Sequence, residues 1–417
     1  MSAPLGPTGI ATEEPVPPPE GAGLPPRQRL SPGQWVRENL FSSPANSALT
    51  VVFGAFLAWA GYRFLRFVFV TGRWEIIEVN LTNFLVGRFP RDELYRPWIA
   101  ILIVAFVAGV GVGLSAQRGR AGTWWTRTKP AVPGLVLLAV LLVVAQTWTP
   151  LLLTAASFAV AAAGRLLGAR LPLRTRRWMP LVYLATILAV FVAFTGWGGV
   201  GWDSWGGLLL NLYLGIAAIV LSFPIGVLLA LGRRSTFPAI RLVCVFYIEL
   251  IRGVPLITLL FMGALALGFF LPVGWPRPGQ VVRAIVALTL FTAAYVAEIV
   301  RGGLQGVPRG QTEAAKAIGL SPVATTFVIV LPQALRNVIP AMVGQFISLF
   351  KDTSLVVIIG LLDLLAVAQV VTQQGEFLGQ GLEAETLVFA SYVFWTICYS
   401  MSRASQRLEK RLGVGER

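Results

Sequence analysis

The stretch AVPGLVLLAVLLVVAQTWTPLLLTAASFAVAAAG, residues 131–164, runs for 34 residues without a charged side chain. One helix crosses the hydrocarbon of a bilayer with about 20 apolar residues and, even when tilted, need not exceed about 25. The run is therefore read as a hairpin of two spans turning near Thr149-Pro150. Similar apolar runs lie on both sides of it, near 47–70, 97–117, 178–202, 206–232, 240–271, 282–303, 335–360 and 384–402. Together they predict an all-α integral membrane protein with about ten spans, five before residue 200 or so and five after. Composition agrees. The 417 residues are 56% hydrophobic and only 13% charged, against about 25% charged in soluble domains. Residues 1–46 carry VPPPE and LPPRQRLSP, have no apolar core, and are expected to be a disordered cytosolic tail.

Charge orients the chain. Lys and Arg total 34 against 19 Asp and Glu, a net charge of +15. The basic residues sit between apolar runs, as in cytoplasmic loops beside anionic lipid, and not in a nucleic-acid-binding patch. With ten spans and both termini cytoplasmic, the Arg-rich segments 165–177, 233–241 and 403–411 all fall on one side. One loop dissents. Residues 71–96 place Arg73, Arg88, Arg91 and Arg96 on the outer side, opposed by Glu75, Glu78, Asp92 and Glu93.

Several chemistries are excluded. The chain has no histidine, so His-based acid–base catalysis and His metal ligation are absent. Cys244 and Cys398 lie in apolar runs and are expected to be buried thiols. Gly196-Trp-Gly198-Gly-Val-Gly201 and Gly111-Val-Gly113-Leu-Ser-Ala116 imitate a dinucleotide fingerprint without its strand–turn–helix setting; the first is read as a loop, the second as a small-residue packing face. No Gly-Lys dipeptide occurs, so there is no Walker A loop, and any ATP-driven work needs another subunit.

The segment 308–332 is the informative one. Thr312 is expected to cap a short helix, with Glu313 favourable at its positive end. Gly319 should end that helix in a left-handed conformation. Pro322 then suits the opening turn of a second helix, stopping before Pro332.

Its residues Glu313, Ala314, Ala315, Gly319, Ile329, Leu331 and Pro332 fit E-A-A-x(3)-G-x(9)-I-x-L-P without a mismatch, and this resembles the signature loop of ABC importer permeases. Tyr247-Ile-Glu249-Leu-Ile-Arg252-Gly253-Val-Pro255, Ala294-Tyr295-Val-Ala-Glu298-Ile-Val-Arg301-Gly302-Gly303 and Phe350-Lys351-Asp352-Thr353-Ser354-Leu355 resemble the polar-amino-acid permeases. The likeness spans roughly 205–412, and the added N-terminal spans resemble the long permease subunits of general L-amino-acid importers. It implies a five-helix type I core (201–412) with a coupling loop (308–332), preceded by additional spans (47–200). It also implies a bacterial inner-membrane location and no catalysis or cofactor in this chain, with ATP and Mg used by a partner ATPase dimer. The other implied partners are a second permease subunit, an extracytoplasmic solute-binding protein and an L-amino-acid substrate. Gln345 stands where related chains often carry Asn.

Charges inside the core form a second constellation. Glu249/Arg252 and Glu298/Arg301 are spaced i,i+3, on one helical face each. Lys351 and Asp352 interrupt an apolar run, next to Thr353 and Ser354. A charge at the bilayer centre costs about 2.5–3.5 kcal/mol on insertion scales, so such residues face an interior. They read either as a polar route or gate for a zwitterion or as structural pairs near the cytoplasmic helix ends. The rival to ATP-driven import, an ion-coupled secondary amino-acid transporter, would show an internal repeat, and the two halves do not resemble each other. Because signature loop and paired charges lie beyond residue 200, the core is expected to suffice for transport.

Overall fold

A computed structural model describes residues 31–117, 148–196, 199–269, 271–272, 274 and 277–412. Among these the chain is helical, with one isolated parallel bridge between Gly207 and Asp363. Residues up to Gly72 form a unit of their own. Its helix α1 (Pro32–Leu40) opens with a capping box in which the Gln34 amide donates to Ser31 Oγ and the Ser31 amide to Gln34 Oε1. Helix α2 (Pro44–Arg66) is capped by Ser43 and runs on as a π turn to Thr71. None of its residues is buried, as suits an apolar helix facing lipid or a partner.

The second unit contains α3 (Glu75–Val86), α4 (Tyr95–Ala116), α5 (Trp148–Arg170), α6 (Met179–Thr195), α7 (Gly207–Arg233) and α8 (Pro238–Gly253). It continues through α9 (Leu256–Phe261), α10 (Gln280–Gln305), α11 (Arg309–Ala317), α12 (Leu331–Asp352), α13 (Leu364–Val370) and α14 (Glu383–Leu412). Among the described residues seven helical segments are long and apolar enough to cross a membrane, or eight with one bent pair counted as a span. The expected span over 131–147 lies outside the described residues. The expected tenth span is the 30-residue α14, about 45 Å long at 1.5 Å per residue, but its hydroxyl and Tyr residues leave it less apolar than those seven.

Three helices make the centre. Leu210, Leu214 and Ala218 of α7 pack with Ala284 and Leu288 of α10 and Leu349 of α12. Further along the same helices, Ala230 meets Val296, Ala297, Val300, Ala334 and Val338. Gly226 permits this closeness, since a Cβ there would lie 2.5 Å from Val296 Cγ1.

The added helices have their own packing rule. Cβ atoms built on Gly109 and Gly113 of α4 would come within 2.2 Å of the Ala161 and Arg165 carbonyl oxygens of α5. Reciprocally, Gly164 and Gly168 lie against the Phe106 and Val110 carbonyls. Backbones meet because four glycines remove the side chains between them. The small-residue face expected over 111–116 is thus centred on Gly109 and Gly113; Gly111 instead faces the Tyr183 hydroxyl.

Three expectations are corrected. The run 240–271 is not one straight span: Pro238–Gly253 and Leu256–Phe269 meet at 107°. Val254 precedes a proline and is extended, φ −101° and ψ 133°, because the Pro255 ring disfavours the helical region there. The loop 71–96 is not merely a connection, since α3 buries Ile76, Ile77, Leu81 and Phe84 against Leu364, Val367, Phe377 and Phe389. Three of its four arginines are locally engaged. Arg73 donates to the Gln380 carbonyl and side-chain oxygens (2.7 and 2.9 Å), Arg91 to Asn83 Oδ1, and Arg96 pairs with Glu93 at 2.5 Å. The burial of α3 also argues against a self-sufficient core confined to residues beyond 200, because removing α3 would bare an apolar face around Leu364 and Phe389. Finally, Cys244 and Cys398 are half-buried, not buried, since each lies on the partly open flank of its helix.

Gly113→Leu should separate α4 from α5 and cost about 1–3 kcal/mol, the range for overpacking a filled contact. Thermal unfolding of the purified chain reads this as a lowered Tm; a wild-type Tm would show that the close contact is not used.

Candidate functional site

The signature segment stands out as a knob. Helix α11 starts at Arg309, directly after Pro308. Thr312 is therefore inside the helix and does not cap it, and Glu313 occupies the second turn, away from the positive end. The reason is Pro308, whose φ of −58° prepares the chain for a helix at the next residue. The other end follows expectation. Gly319 has φ +80°, its amide donates to the Lys316 carbonyl at 2.9 Å, and the Leu320 amide donates to the Ala315 carbonyl at 3.0 Å. These are the two bonds of a Schellman turn, which needs glycine at the left-handed position. Ser321 then caps the next helix through the Ala324 amide, 3.2 Å away.

That second helix does not stop at Pro332. Pro322–Ala324, a π-helical stretch Thr325–Val330, α12 and a 3-10 stretch Thr353–Ile359 form one apolar segment of 38 residues, Pro322–Ile359. The π turns widen the backbone just before the proline, so its ring and missing N–H are tolerated. Ala315 is buried, and Leu331 is buried with Ala334 and Val338 against Val300 and Leu304 of α10. Glu313, Ala314 and Gly319 are exposed, as is Pro332. Around them the large apolar side chains Ile318, Val323, Phe327 and Val328 are also exposed, 53–76%. Gln333 ties the two arms by donating to Gln311 Oε1 at 3.2 Å and to the Ile329 carbonyl at 2.9 Å.

Next to the knob lies an ionic cluster. Glu298 of α10 is its hub, 2.6 Å from Arg233, 2.8 Å from Arg301 and 3.8 Å from Arg252. The Glu298/Arg301 spacing does yield a pair. Glu249 does not pair with Arg252; it accepts from Arg233 at 2.9 Å, while Arg252 sits 5.7 Å from the Tyr295 ring centroid. Arg233, at the end of α7, outcompetes the same-helix partner because it reaches both carboxylates at once. In the sequence Arg233 stands among the cations of a basic segment, 233–241. Its position at the very end of an apolar helix was the available signal. Three guanidinium groups share two carboxylates, so the cluster joins the ends of α7, α8 and α10 and keeps a surplus positive charge.

At the far end of the core, Thr353 is fully buried and bonded. Asn211 of α7 donates to Thr353 Oγ1 (3.0 Å) and to Asp363 Oδ2 (3.1 Å), and its own oxygen accepts from the Leu364 amide at 2.9 Å. Asp363 caps α13 through the Ala366 and Leu365 amides, at 2.9 and 3.2 Å. Burial pushes the Asp363 carboxyl up in pKa, and these hydrogen bonds oppose the shift. Neither Asn211 nor Asp363 was read from sequence, since 152 residues separate them. Lys351 is exposed, Asp352 and Ser354 are half-buried, and Ser354 Oγ donates to the Lys351 carbonyl at 2.8 Å. Gln345, half-buried, lies between the two ends on α12. Among the described residues no group of His, Cys, Asp and Glu could hold a metal ion.

The family described as "Binding-protein-dependent transport system inner membrane component" matches residues 222–414. The chain is 36% identical over 397 residues to the inner membrane amino-acid ABC transporter permease protein YhdY of Escherichia coli (strain K12), covering 91% of this chain and 93% of that one. It is 35% identical, with the same two coverages, to the glutamate/glutamine/aspartate/asparagine transport system permease protein BztC of Rhodobacter capsulatus. A probable glutamine ABC transporter permease protein of Bacillus subtilis, GlnP, is 38% identical over 207 residues, 50% of this chain and 92% of its own length.

Asp363→Ala removes a helix cap and leaves Asn211 short of an acceptor, each worth about 1–2 kcal/mol. The purified variant should unfold at a clearly lower temperature, and Asn211→Leu combined with it should cost less than Asn211→Leu costs in the wild type, because only the Asn211–Asp363 bond is shared. Full additivity in that double-mutant cycle would show that the two residues do not act as one pin.

Proposed function

The chain belongs to the binding-protein-dependent transport system inner membrane components, as a permease subunit of an amino-acid ABC transporter, and from that premise we propose how it works. It is a non-catalytic membrane subunit, with ATP hydrolysis in a separate one. The direction of transport is import across the bacterial inner membrane, with both termini and the knob on the cytoplasmic side. The substrate class is L-amino acids. A solute-binding protein delivers them from outside, a second permease subunit pairs with this one, and two ATPase copies use ATP and Mg.

The observation that carries this reading is the knob. An ATPase has nothing to grip inside lipid, so a permease must offer it a stiff protrusion. Glu313, Ala314 and the exposed apolar side chains from Ile318 to Val328 provide a surface for its cleft, with small residues allowing close approach. Ala315 and Leu331 are the buried roots. The helix that leaves the Gly319 turn continues as the segment ending at Ile359, so closure of an ATPase dimer would tilt it as a rigid body. The Glu298 cluster lies where that movement would be felt first. Glu249, Arg252 and Glu298 then serve as an inner gate, and Gln345 with Lys351, Asp352 and Ser354 borders the polar route above it, while Thr353, fully buried in the pin, does not line it.

Two substitutions test the knob. Gly319→Pro forbids φ +80° because proline is fixed near −65°. Glu313→Lys reverses an exposed charge on the docking surface. Either should leave the chain inserted and paired yet remove amino-acid-stimulated ATP hydrolysis by the assembled complex, by tenfold or more as a rough scale for a broken coupling contact. Normal stimulated hydrolysis in both would reduce the knob to a connector.

A further inference from the structure

Between Glu93 and Asp203 the sequence has no acidic residue and ten basic ones. Among the described residues this surplus concentrates at the corner between α5 and α6. A 3-10 turn, Leu173–Trp178, forms that corner. Arg174, Arg176 and Arg177 line, with Leu173, an open depression of about 520 Å³. All three arginines are exposed, and among the described residues none of them has an acidic partner. Arg177 lies over the Trp178 ring, 5.1 Å from its centroid, and Trp178 is itself half exposed.

The corner is held in place. The Thr175 amide donates to the Pro172 carbonyl at 2.9 Å. The Gln117 side chain, at the end of α4, donates to the Gly168, Ala169 and Leu171 carbonyls at 2.8–2.9 Å. Met179 is buried with Val110 and Leu114 of α4. Three like charges are therefore kept within four residues on a fixed backbone, where their mutual repulsion is relieved by an anion. Apolar spans leave the depression on both sides, exposing Leu166 and Leu167 on α5 and Leu181, Leu184 and Leu188 on α6.

We propose that this corner is a binding site for a phospholipid with a net negative headgroup, of the phosphatidylglycerol class. The guanidinium groups of Arg174, Arg176 and Arg177 bind the phosphodiester, as planar forks suited to phosphate oxygens. Trp178 stands at the headgroup level, where amphipathic rings gather. The acyl chains lie along the leucines of α5 and α6. A free phosphate would meet the same arginines without the apolar flanks, and a zwitterionic lipid would bring a cation back to the site. The net charge and the two chains together select the ligand. This site is independent of the transported substrate and of the knob.

The test uses the full-length chain, purified in detergent and monodisperse, with bound lipid counted by native mass spectrometry during titration. The probes are dioleoylphosphatidylglycerol, dioleoylphosphatidylcholine and inorganic phosphate. The wild type should prefer phosphatidylglycerol, and R174Q/R176Q/R177Q should weaken that binding roughly tenfold or more, given the attraction per cation near an anionic surface. The variant's weak binding of phosphatidylcholine should not change. R174K/R176K/R177K retains the charge without the planar fork and should still prefer phosphatidylglycerol over phosphatidylcholine, with weaker binding than the wild type but tighter than the glutamine variant, which separates loss of charge from damage to the corner. Millimolar inorganic phosphate should not displace the lipid. The proposal is overturned if the glutamine variant binds phosphatidylglycerol like the wild type, if the wild type shows no preference between the two lipids, or if inorganic phosphate competes fully.

Discussion

A membrane-buried helix can be moved from the cytoplasm only through something stiff, and in this chain the stiffness begins at one turn. Gly319, at φ +80°, closes both Schellman bonds and sets the angle between α11 and the helix that follows. Everything beyond depends on that angle being kept. The returning helix passes Pro332 without a break, roots itself through Leu331 and Ala334 against α10, and ends in the buried pin of Asn211, Thr353 and Asp363. One end is fixed by backbone geometry, the other by hydrogen bonds in an apolar setting where an unmade bond would be costly. Between them lies the segment that carries Gln345 and the Lys351–Ser354 motif.

The ionic cluster fits the same logic. Glu298 gathers arginines from the ends of α7 and α8 and from its own helix, so three helix ends share one carboxylate. Glu249, more than half exposed, adds a second and weaker tie, since solvent screens exposed pairs. A cluster of this kind holds that end of the core together in one arrangement and can be re-formed in another, which packed apolar contacts do less readily.

How much of this could be read from the sequence varies with range. The membrane-spanning character, the Gly319 turn and the Pro322 restart were legible because each depends on residues a few positions apart. The bend at Val254-Pro255 was equally local, and the signal was present; the apolar run simply hid it. Pro332 misled for the opposite reason, as its local meaning is a stop while π turns upstream absorb it. Helix α3 was illegible as a core element because its apolar face is matched by Leu364, Phe377 and Phe389, almost 300 residues away. The choice of Arg233 over Arg252 as partner of Glu249, and the Asn211–Asp363 pin, are likewise decisions of tertiary packing. The added N-terminal half therefore holds three kinds of structure: α2, whose residues are unburied; α3, which is part of the core's own packing; and α4 and α5, which meet through their own glycines.

The central claim is that the helix from the knob to the pin moves as one body. Spin labels at the exposed positions Val323 and Ile358 report it directly, with the distance between them measured in the assembled transporter without nucleotide and with ATP bound. The account predicts the same distance distribution in both states, while the distance from position 323 to a label at the exposed Leu184 of α6 changes. A shift between 323 and 358 on ATP binding would place a hinge in the π-helical stretch Thr325–Val330, and would contradict it.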